Sequence, residues 1–280
     1  MIKHSDSLKQ RQGFISEYGS LTPESFDFYT EIFLAQEESA PRYENLLKGK
    51  TFFQHDISPA LMVDNISFHD ELKDELYDLL KKITSIISKV NTGMNFTLLL
   101  DDFKNSADFI FCKLLKLDFA DLESRCRKYN LAIEEFIFVV HNLFKPMLIE
   151  LRNQSGMDFV SKDDEYFENI CPFCGYLPNI SKIVESKDNK LYLHCSICEN
   201  EWNFPRLTCP ACGSTEQSNQ GYFEFEDDSP YRVYYCDDCK HYVKSIKVSK
   251  FKEDSYDLAV EDIITNFIDA TMIDKGYKRI

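Results

Sequence analysis

Four Cys-x-x-Cys pairs fall between residues 171 and 239, and they limit what this chain can fold into more than any other feature. They read Cys171-Pro-Phe-Cys174-Gly175, Cys195-Ser-Ile-Cys198, Cys209-Pro-Ala-Cys212-Gly213 and Cys236-Asp-Asp-Cys239. A two-residue spacer lets both sulfurs of a pair meet one metal ion while nearby backbone N–H groups turn towards them. Twenty residues separate Cys174 from Cys195, twenty-three separate Cys212 from Cys236, and only ten lie between Cys198 and Cys209. Each longer gap has room for a hairpin, so the simplest grouping is two four-cysteine sites in series, although interleaved pairs would use the same eight ligands. Gly175 and Gly213 suit a left-handed turn after the knuckle. Glu199 and Lys240 stand where glycine would repeat, and Asn200 can supply positive φ after the second pair.

Four thiolates accommodate zinc as a structural ion or iron as a one-electron centre, and spacing does not choose between them. The sequence thus predicts two iron or zinc ions, one held by Cys171, Cys174, Cys195 and Cys198 and the other by Cys209, Cys212, Cys236 and Cys239. Redox disulfides are the rival reading, but the βαβ setting expected around a single catalytic pair is missing. No pair is followed by His, which excludes the usual c-type haem attachment. Ten cysteines in 280 residues are too sparse for a small disulfide scaffold.

The hydrophobic period changes near residue 169. Before it, Leu72, Leu76, Leu79, Leu80, Ile83, Ile86, Ile87 and Val90 share one side of a 3.6-residue repeat, predicting a helix over 69–90. Thr22-Pro23 reads as a cap and first helical position. Further helices are predicted near 106–117, 119–128 and 130–153, the last kinked by Pro146. Residues 39–67, with Pro41 and Pro59, read as a long packed connection, and the acidic stretch 157–169 as a linker. After it, 190–194, 222–226, 231–235 and 242–248 alternate with period two and read as short strands, followed by one helix over 255–274. The expected architecture is multidomain, α with small β. An all-α helical bundle occupies 1–168, rubredoxin-like or zinc-ribbon modules occupy 169–207 and 208–252, and a C-terminal helix over 253–280 packs on the preceding domains.

A net charge of −15 argues against a general nucleic-acid binder, because such affinity comes mainly from Lys and Arg neutralising phosphates. The N-terminus carries no export signal and no apolar run approaches the length of a membrane span, so a soluble cytoplasmic protein without membrane insertion is expected. No G-x-G-x-x-G, P-loop, G-x-S-x-G or H-E-x-x-H occurs, and no nucleophile has an evident base, so no catalytic residue is assigned. His194 and His241 read as hydrogen-bonded strand histidines rather than ligands, Cys112 and Cys126 as small buried hydrophobes, and Trp202 as a core anchor. The acidic run 224–228 reads as a solvated face.

The stretch Leu193-His-Cys-Ser-Ile-Cys-Glu-Asn-Glu-Trp202 resembles the formate dehydrogenase accessory protein FdhE family, whose second cysteine pair sits in a Leu-His-Cys-x-x-Cys context closed by Glu-Trp. Here Glu201 and Trp202 close it. The Cys-Pro-x-Cys-Gly-x-x-Pro frame from Cys171 to Pro178 and the closing helix ending in Lys275-Gly276-Tyr277 match as well, so the resemblance covers roughly 169–277. It implies a non-enzymatic maturation factor that holds iron in rubredoxin-like sites and binds the molybdenum-containing catalytic subunit of formate dehydrogenase before export. Self-association is left open. The alternative from another class is a zinc-ribbon nucleic-acid or transcription module, for which Lys244, Lys247, Lys250 and Lys252 are the candidate basic stripe. A third reading is sulfur transfer through Cys112 or Cys126.

Overall fold

The structure is a computed structural model that describes residues 3–48, 52–54, 59–61, 63–158, 166–225, 229–252 and 255–280. It divides into a helical unit, residues 22–157 with 173–176, and a sheet unit, residues 1–21, 158–172 and 177–280. Much of the predicted linker at 157–169, and Glu226 to Asp228 of the acidic run, lie outside the described residues.

The helical unit contains α3 (Pro23–Leu47), α4 (Asp70–Val90), α5 (Thr97–Leu115), α6 (Phe119–Tyr129) and α7 (Ile133–Ser155). Helix α3 starts where expected, with the Thr22 side chain accepting the Ser25 N–H at 3.2 Å. It then runs through Pro41 to Leu47, so the connection expected from residue 39 begins nine residues late. Pro41 is exposed, and the buried stripe of Ile32, Gln36, Ser39, Ala40, Tyr43 and Leu47 continues past it. Packing of that stripe outweighs the helix-breaking tendency of one solvent-facing proline. Helix α4 buries the predicted stripe except Val90, which is exposed at its last turn. Helix α5 begins nine residues before the predicted start. Leu99, Phe103, Ala107, Ile110, Phe111 and Leu114 form its buried face, and the Asn95 side chain accepts the Thr97 N–H at 2.9 Å at its start.

Helix α7 also runs through a proline, and its partner helix supplies the missing hydrogen bond. Pro146 has no N–H to offer the Asn142 carbonyl one turn earlier. The buried Gln36 of α3 donates its side-chain amide to that carbonyl at 2.9 Å and to the Asn142 side chain at 3.2 Å. A sequence-derived kink site is thereby a tertiary contact.

The sheet unit begins with two short helices, α1 (His4–Gln10) and α2 (Gln12–Tyr18). Its sheet has the order β3 (Glu201–Phe204), β2 (Lys190–Cys195), β1 (Pro178–Val184), β6 (His241–Lys247), β5 (Tyr231–Cys236), β4 (Gln220–Glu224), with β7 (Lys278–Arg279) pairing β6. Strands β1–β3 and β4–β6 are two antiparallel ribbons. Parallel pairing of β1 with β6, from Ile180 opposite Lys244 to Ile183 opposite Lys247, joins them into one sheet. β1 and β3 lie where no strand was predicted. β1 buries Ser181 between its isoleucines, the hydroxyl donating to the Lys244 carbonyl at 3.1 Å, so its hydrophobic alternation is broken. β3 has only four residues, too few to show a period.

One face of the sheet carries Ile180, Tyr231, Val233, Tyr242 and Ile246 and packs on Leu258, Ile268 and Met272. These last come from α8 (Leu258–Ile264) and α9 (Asn266–Asp274), where one helix over 255–274 was predicted. The break falls at Thr265, whose φ of −105° and ψ of 29° leave the helix while its buried hydroxyl donates to the Glu261 carbonyl at 2.7 Å. Asp257 caps α8 by accepting the Ala259 N–H at 3.1 Å, which sets the later start.

Replacing Gln36 with Leu should leave the half-buried Asn142 carbonyl without this donor and cost about 1 kcal/mol. Replacing Pro146 with Ala restores an intrahelical partner, so the Gln36→Leu penalty should shrink in that background. Denaturant unfolding of the four proteins of this cycle measures the coupling; equal penalties in both backgrounds would refute the assignment.

Candidate metal centres

Each four-cysteine set is assembled from one loop knuckle and one hairpin knuckle. Cys171 and Cys174 precede β1, while Cys195 ends β2 and Cys198 lies in its turn to β3. Cys209 and Cys212 precede β4, while Cys236 ends β5 and Cys239 lies in its turn to β6. Within each set the sulfurs all lie within 4.8 Å of one another, and the grouping is in series, Cys171/174/195/198 and Cys209/212/236/239. Named edges are 3.6 Å for Cys171–Cys198, 3.7 Å for Cys209–Cys239 and 4.0 Å for Cys212–Cys236. A tetrahedral ion with metal–sulfur bonds near 2.3 Å requires sulfur–sulfur edges of about 3.8 Å. A disulfide would require about 2.05 Å, and all eight cysteines are unbridged. The donor set and its edges therefore fit a four-thiolate ion at each site.

The knuckle backbones repeat one pattern. Cys195 donates its N–H to the Asn200 carbonyl at 2.8 Å, and Cys209 donates to the Ser214 carbonyl at 2.8 Å. The residue after the second cysteine turns left-handed and donates back to the first: Gly213 to Cys209 at 2.9 Å, Glu199 to Cys195 at 3.2 Å and Lys240 to Cys236 at 2.9 Å. Gly175 and Gly213 have φ of 78° and 73°, as expected, but Glu199 at 57° and Lys240 at 59° adopt the turn themselves. Asn200 is not the positive-φ residue of this turn. The geometry of the knuckle fixes which position must turn, and a neighbour cannot substitute for it even at about 1–2 kcal/mol of left-handed strain.

Glu199 is also tied down by a residue that no sequence pattern had singled out. His4 of α1 places Nε2 2.9 Å from Glu199 and Nδ1 2.7 Å from the Asp257 carboxylate, in a buried cluster. Burial alone would lower the imidazole pKa, but the charge of Glu199 and the hydrogen bond to Asp257 outweigh it and raise the pKa to about 9. Seven residues on, Arg11 donates to the Tyr231 hydroxyl at 2.6 Å and to Glu261 at 3.2 Å. An isolated His4 near a chain start gives no spacing signal, so only the tertiary structure brings it to a knuckle.

The two centres differ in access. Cys171, Cys174, Cys195 and Cys198 are each at most 1% exposed, whereas Cys212 is exposed and Cys239 half-buried. In the second set, burial pushes the Cys209 and Cys239 thiols up. Slight burial acts the same way on Cys212, but the Ser214 backbone N–H and the neighbouring thiols more than offset it, so its pKa falls. Beside this set lies a cavity of about 370 Å³, lined among others by Leu207, Cys209, Tyr222, Tyr234, Cys236 and His241. Its walls come from β2, β4, β5, β6 and the chain before β4, and it had no sequence signal.

The remaining candidates resolve into structural roles. His194 pairs with the Asn179 side chain at 3.0 Å and His241 with the Cys239 carbonyl at 2.8 Å, and neither belongs to a ligand set. Trp202 is buried and donates to the Glu168 carbonyl at 3.2 Å. Burial raises the thiol pKa of Cys112 and lifts that of Cys126 to about 11, leaving both poor nucleophiles at neutral pH. His55 lies outside the described residues. Lys244 is buried with Asp262 and Asp269 at 2.9 and 2.6 Å, and Lys247 lies 3.5 Å from Glu224. The basic stripe on which a nucleic-acid reading depends therefore loses Lys244, and Lys247 is partly neutralised. Among the described residues, no helix is long and apolar enough to cross a membrane.

These features define a protein with a helical unit, a sheet unit and two four-cysteine sites able to hold metal. Residues 170–206 match the FdhE central domain. A protein named FdhE homolog from Shewanella sp. strain MR-4 is 35% identical over 111 residues, 39% of this chain and 36% of the relative. Its namesake from Aquifex aeolicus is 29% identical over 119 residues, 42% of this chain and 41% of the relative. These alignments span well under half the length of the curated relatives. The crystal structure of the FdhE protein from Pseudomonas aeruginosa superposes with a TM-score of 0.61, covering 99% of this chain and 92% of that one at 15% identity, a likeness of fold. The resemblance to the FdhE family read from the cysteine-bearing half is borne out, as is the α with small β architecture.

The raised His4 pKa fixes the sign of a pH effect. Its stabilising contribution is complete below the unfolded value of 6.5 and is lost as pH rises through about 9. Between these limits the chain should lose stability with rising pH, and His4→Gln should remove that component. A proton NMR titration should find one imidazole titrating near pH 9 that disappears in the variant; all rings titrating near 6.5 would contradict the pairing.

Proposed function

We propose that this protein is a non-enzymatic, metal-binding accessory factor that acts in the cytoplasm on formate dehydrogenase during its assembly. The observation that carries the reading is the pair of pre-arranged four-sulfur sites in a chain similar to FdhE proteins. The eight cysteines Cys171, Cys174, Cys195, Cys198, Cys209, Cys212, Cys236 and Cys239 are the proposed ligands, with one iron or zinc ion per set. Either ion, when bound, cross-links a loop knuckle to a hairpin knuckle, and iron would in addition supply a one-electron couple.

The chain's own residues do the rest. The knuckle N–H groups orient the sulfurs, as with Ala211, which donates to the Cys209 sulfur at 3.4 Å. The parallel β1·β6 pairing holds the two ribbons in one sheet. The proposed client is the molybdenum-containing catalytic subunit, and the aromatic cavity beside Cys209 and Cys236 is the proposed contact for one of its apolar side chains. A net charge of −15 and the acidic partners of Lys244 and Lys247 favour a protein client over nucleic acid.

The test is co-expression of the tagged full chain with a formate dehydrogenase catalytic subunit, together with formate dehydrogenase activity in cells lacking this gene. The reading expects capture of the catalytic subunit and loss of formate dehydrogenase activity on deletion. Tyr234→Ala at the cavity should weaken capture without changing metal content. Full activity in the deleted cells together with no capture would overturn it.

A further inference from the structure

The two four-cysteine sets differ in what surrounds them. Around the first, residues 173–176 of the outer knuckle pack within the helical unit. The Phe173 carbonyl accepts the Leu61 N–H at 2.8 Å, and a methyl group placed on Gly175 would sit 3.0 Å from Pro59 and 3.6 Å from the Leu115 carbonyl. The hairpin knuckle is held at Glu199 by His4. No sulfur of this set has more than 1% of its residue surface exposed.

Around the second set the same positions are open. A methyl group on Gly213, the equivalent of Gly175, would meet nothing within 4 Å. Cys212 is exposed and Cys239 half-buried. The cavity of about 370 Å³ reaches Cys209 and Cys236 as well. Ligand substitution at a four-thiolate ion requires that an incoming group approach the ion or a coordinating sulfur, so the rate depends on access as well as on thiolate basicity.

We infer that the two centres have different work: the Cys209/212/236/239 centre exchanges a ligand with external thiols through Cys212, while the Cys171/174/195/198 centre is a closed structural clamp. Cys212 is the ligand that gives way. An incoming thiol passes its proton to the Cys212 sulfur and takes its place, so one metal–sulfur bond forms as one breaks and no electron moves. The inference rests on the metal reading above and is independent of any client.

The experiment uses the full chain loaded with zinc, challenged with excess chromogenic chelator with and without glutathione, and in parallel with isotope-coded N-ethylmaleimide followed by peptide mass spectrometry. Release should be biphasic, one ion per phase, with only the fast phase accelerated by glutathione. Cys212 should be alkylated at least about tenfold faster than Cys171, Cys174, Cys195 or Cys198. Cys212→Ser should abolish the fast phase and retain the slow one; if that variant does not fold, the alkylation order in the unaltered protein decides. Should the chain retain only one ion, protection of the Cys171 set supports the inference and protection of the Cys209 set overturns it. Release of both ions in one phase, or earliest labelling within the first set, overturns it. A chain that binds no ion overturns the metal reading itself, and this inference with it.

Discussion

Four cysteine sulfurs held within 4.8 Å of one another form an arrangement that, as thiolates, is stable only around a cation. The chain forms two such sets, and a hairpin of the sheet contributes two cysteines to each. Each set joins the chain before a ribbon to the turn of a hairpin inside it, so an ion held there would couple its binding to the folding of the ribbon. The parallel pairing of β1 and β6 then makes the two ribbons mutually dependent, because each supplies a neighbouring strand to the other's edge. The apolar face thus formed draws Ile180 from one ribbon and Tyr231, Val233, Tyr242 and Ile246 from the other, and packs on Leu258 of α8 and Ile268 and Met272 of α9.

Beyond the cysteines, the sheet unit gathers charged side chains into groups around buried members such as Lys244, Asp257, Glu261 and Asp262. Lys244 serves Asp262 and Asp269, Arg279 pairs with Asp262, Arg11 with Glu261, and His4 with Glu199 and Asp257. Arg279 and Lys244 together hold the Asp262 carboxyl well below the usual carboxylate range despite its burial. These groups tie α1, β6, α8 and the chain end to one another, and removing Lys244 would leave the Asp262 carboxylate charged and buried with one partner fewer, a larger loss than the pair's net worth. They also explain why Lys244, the first lysine of the expected basic stripe, adds nothing to a basic surface.

The site was legible in the sequence to the extent that ligand chemistry is local. A two-residue spacer is a property of neighbours, and hairpin-length gaps are enough to group the knuckles in series. Helix α4 was legible for the same reason, since a stripe such as Leu72, Leu76 and Leu79 needs no partner to be visible. What was hidden depends on distant residues. Pro41 and Pro146 read as interruptions, yet one faces solvent and the other leaves the Asn142 carbonyl to Gln36. Glu199 and Lys240 read as departures from a glycine rule, yet both adopt the left-handed turn. Strand β1 has a buried serine where alternation was needed, and His4 reaches its partner across almost the whole length of the chain.

The central claim is that each set of four sulfurs holds one ion. X-ray absorption at the metal edge, combined with elemental analysis of protein purified without oxygen, tests it most directly. The account predicts two ions per chain, each with four sulfur neighbours at about 2.3 Å and no nitrogen or oxygen in the first coordination shell. Fewer than one ion per chain, or a shell containing imidazole or carboxylate, would contradict it.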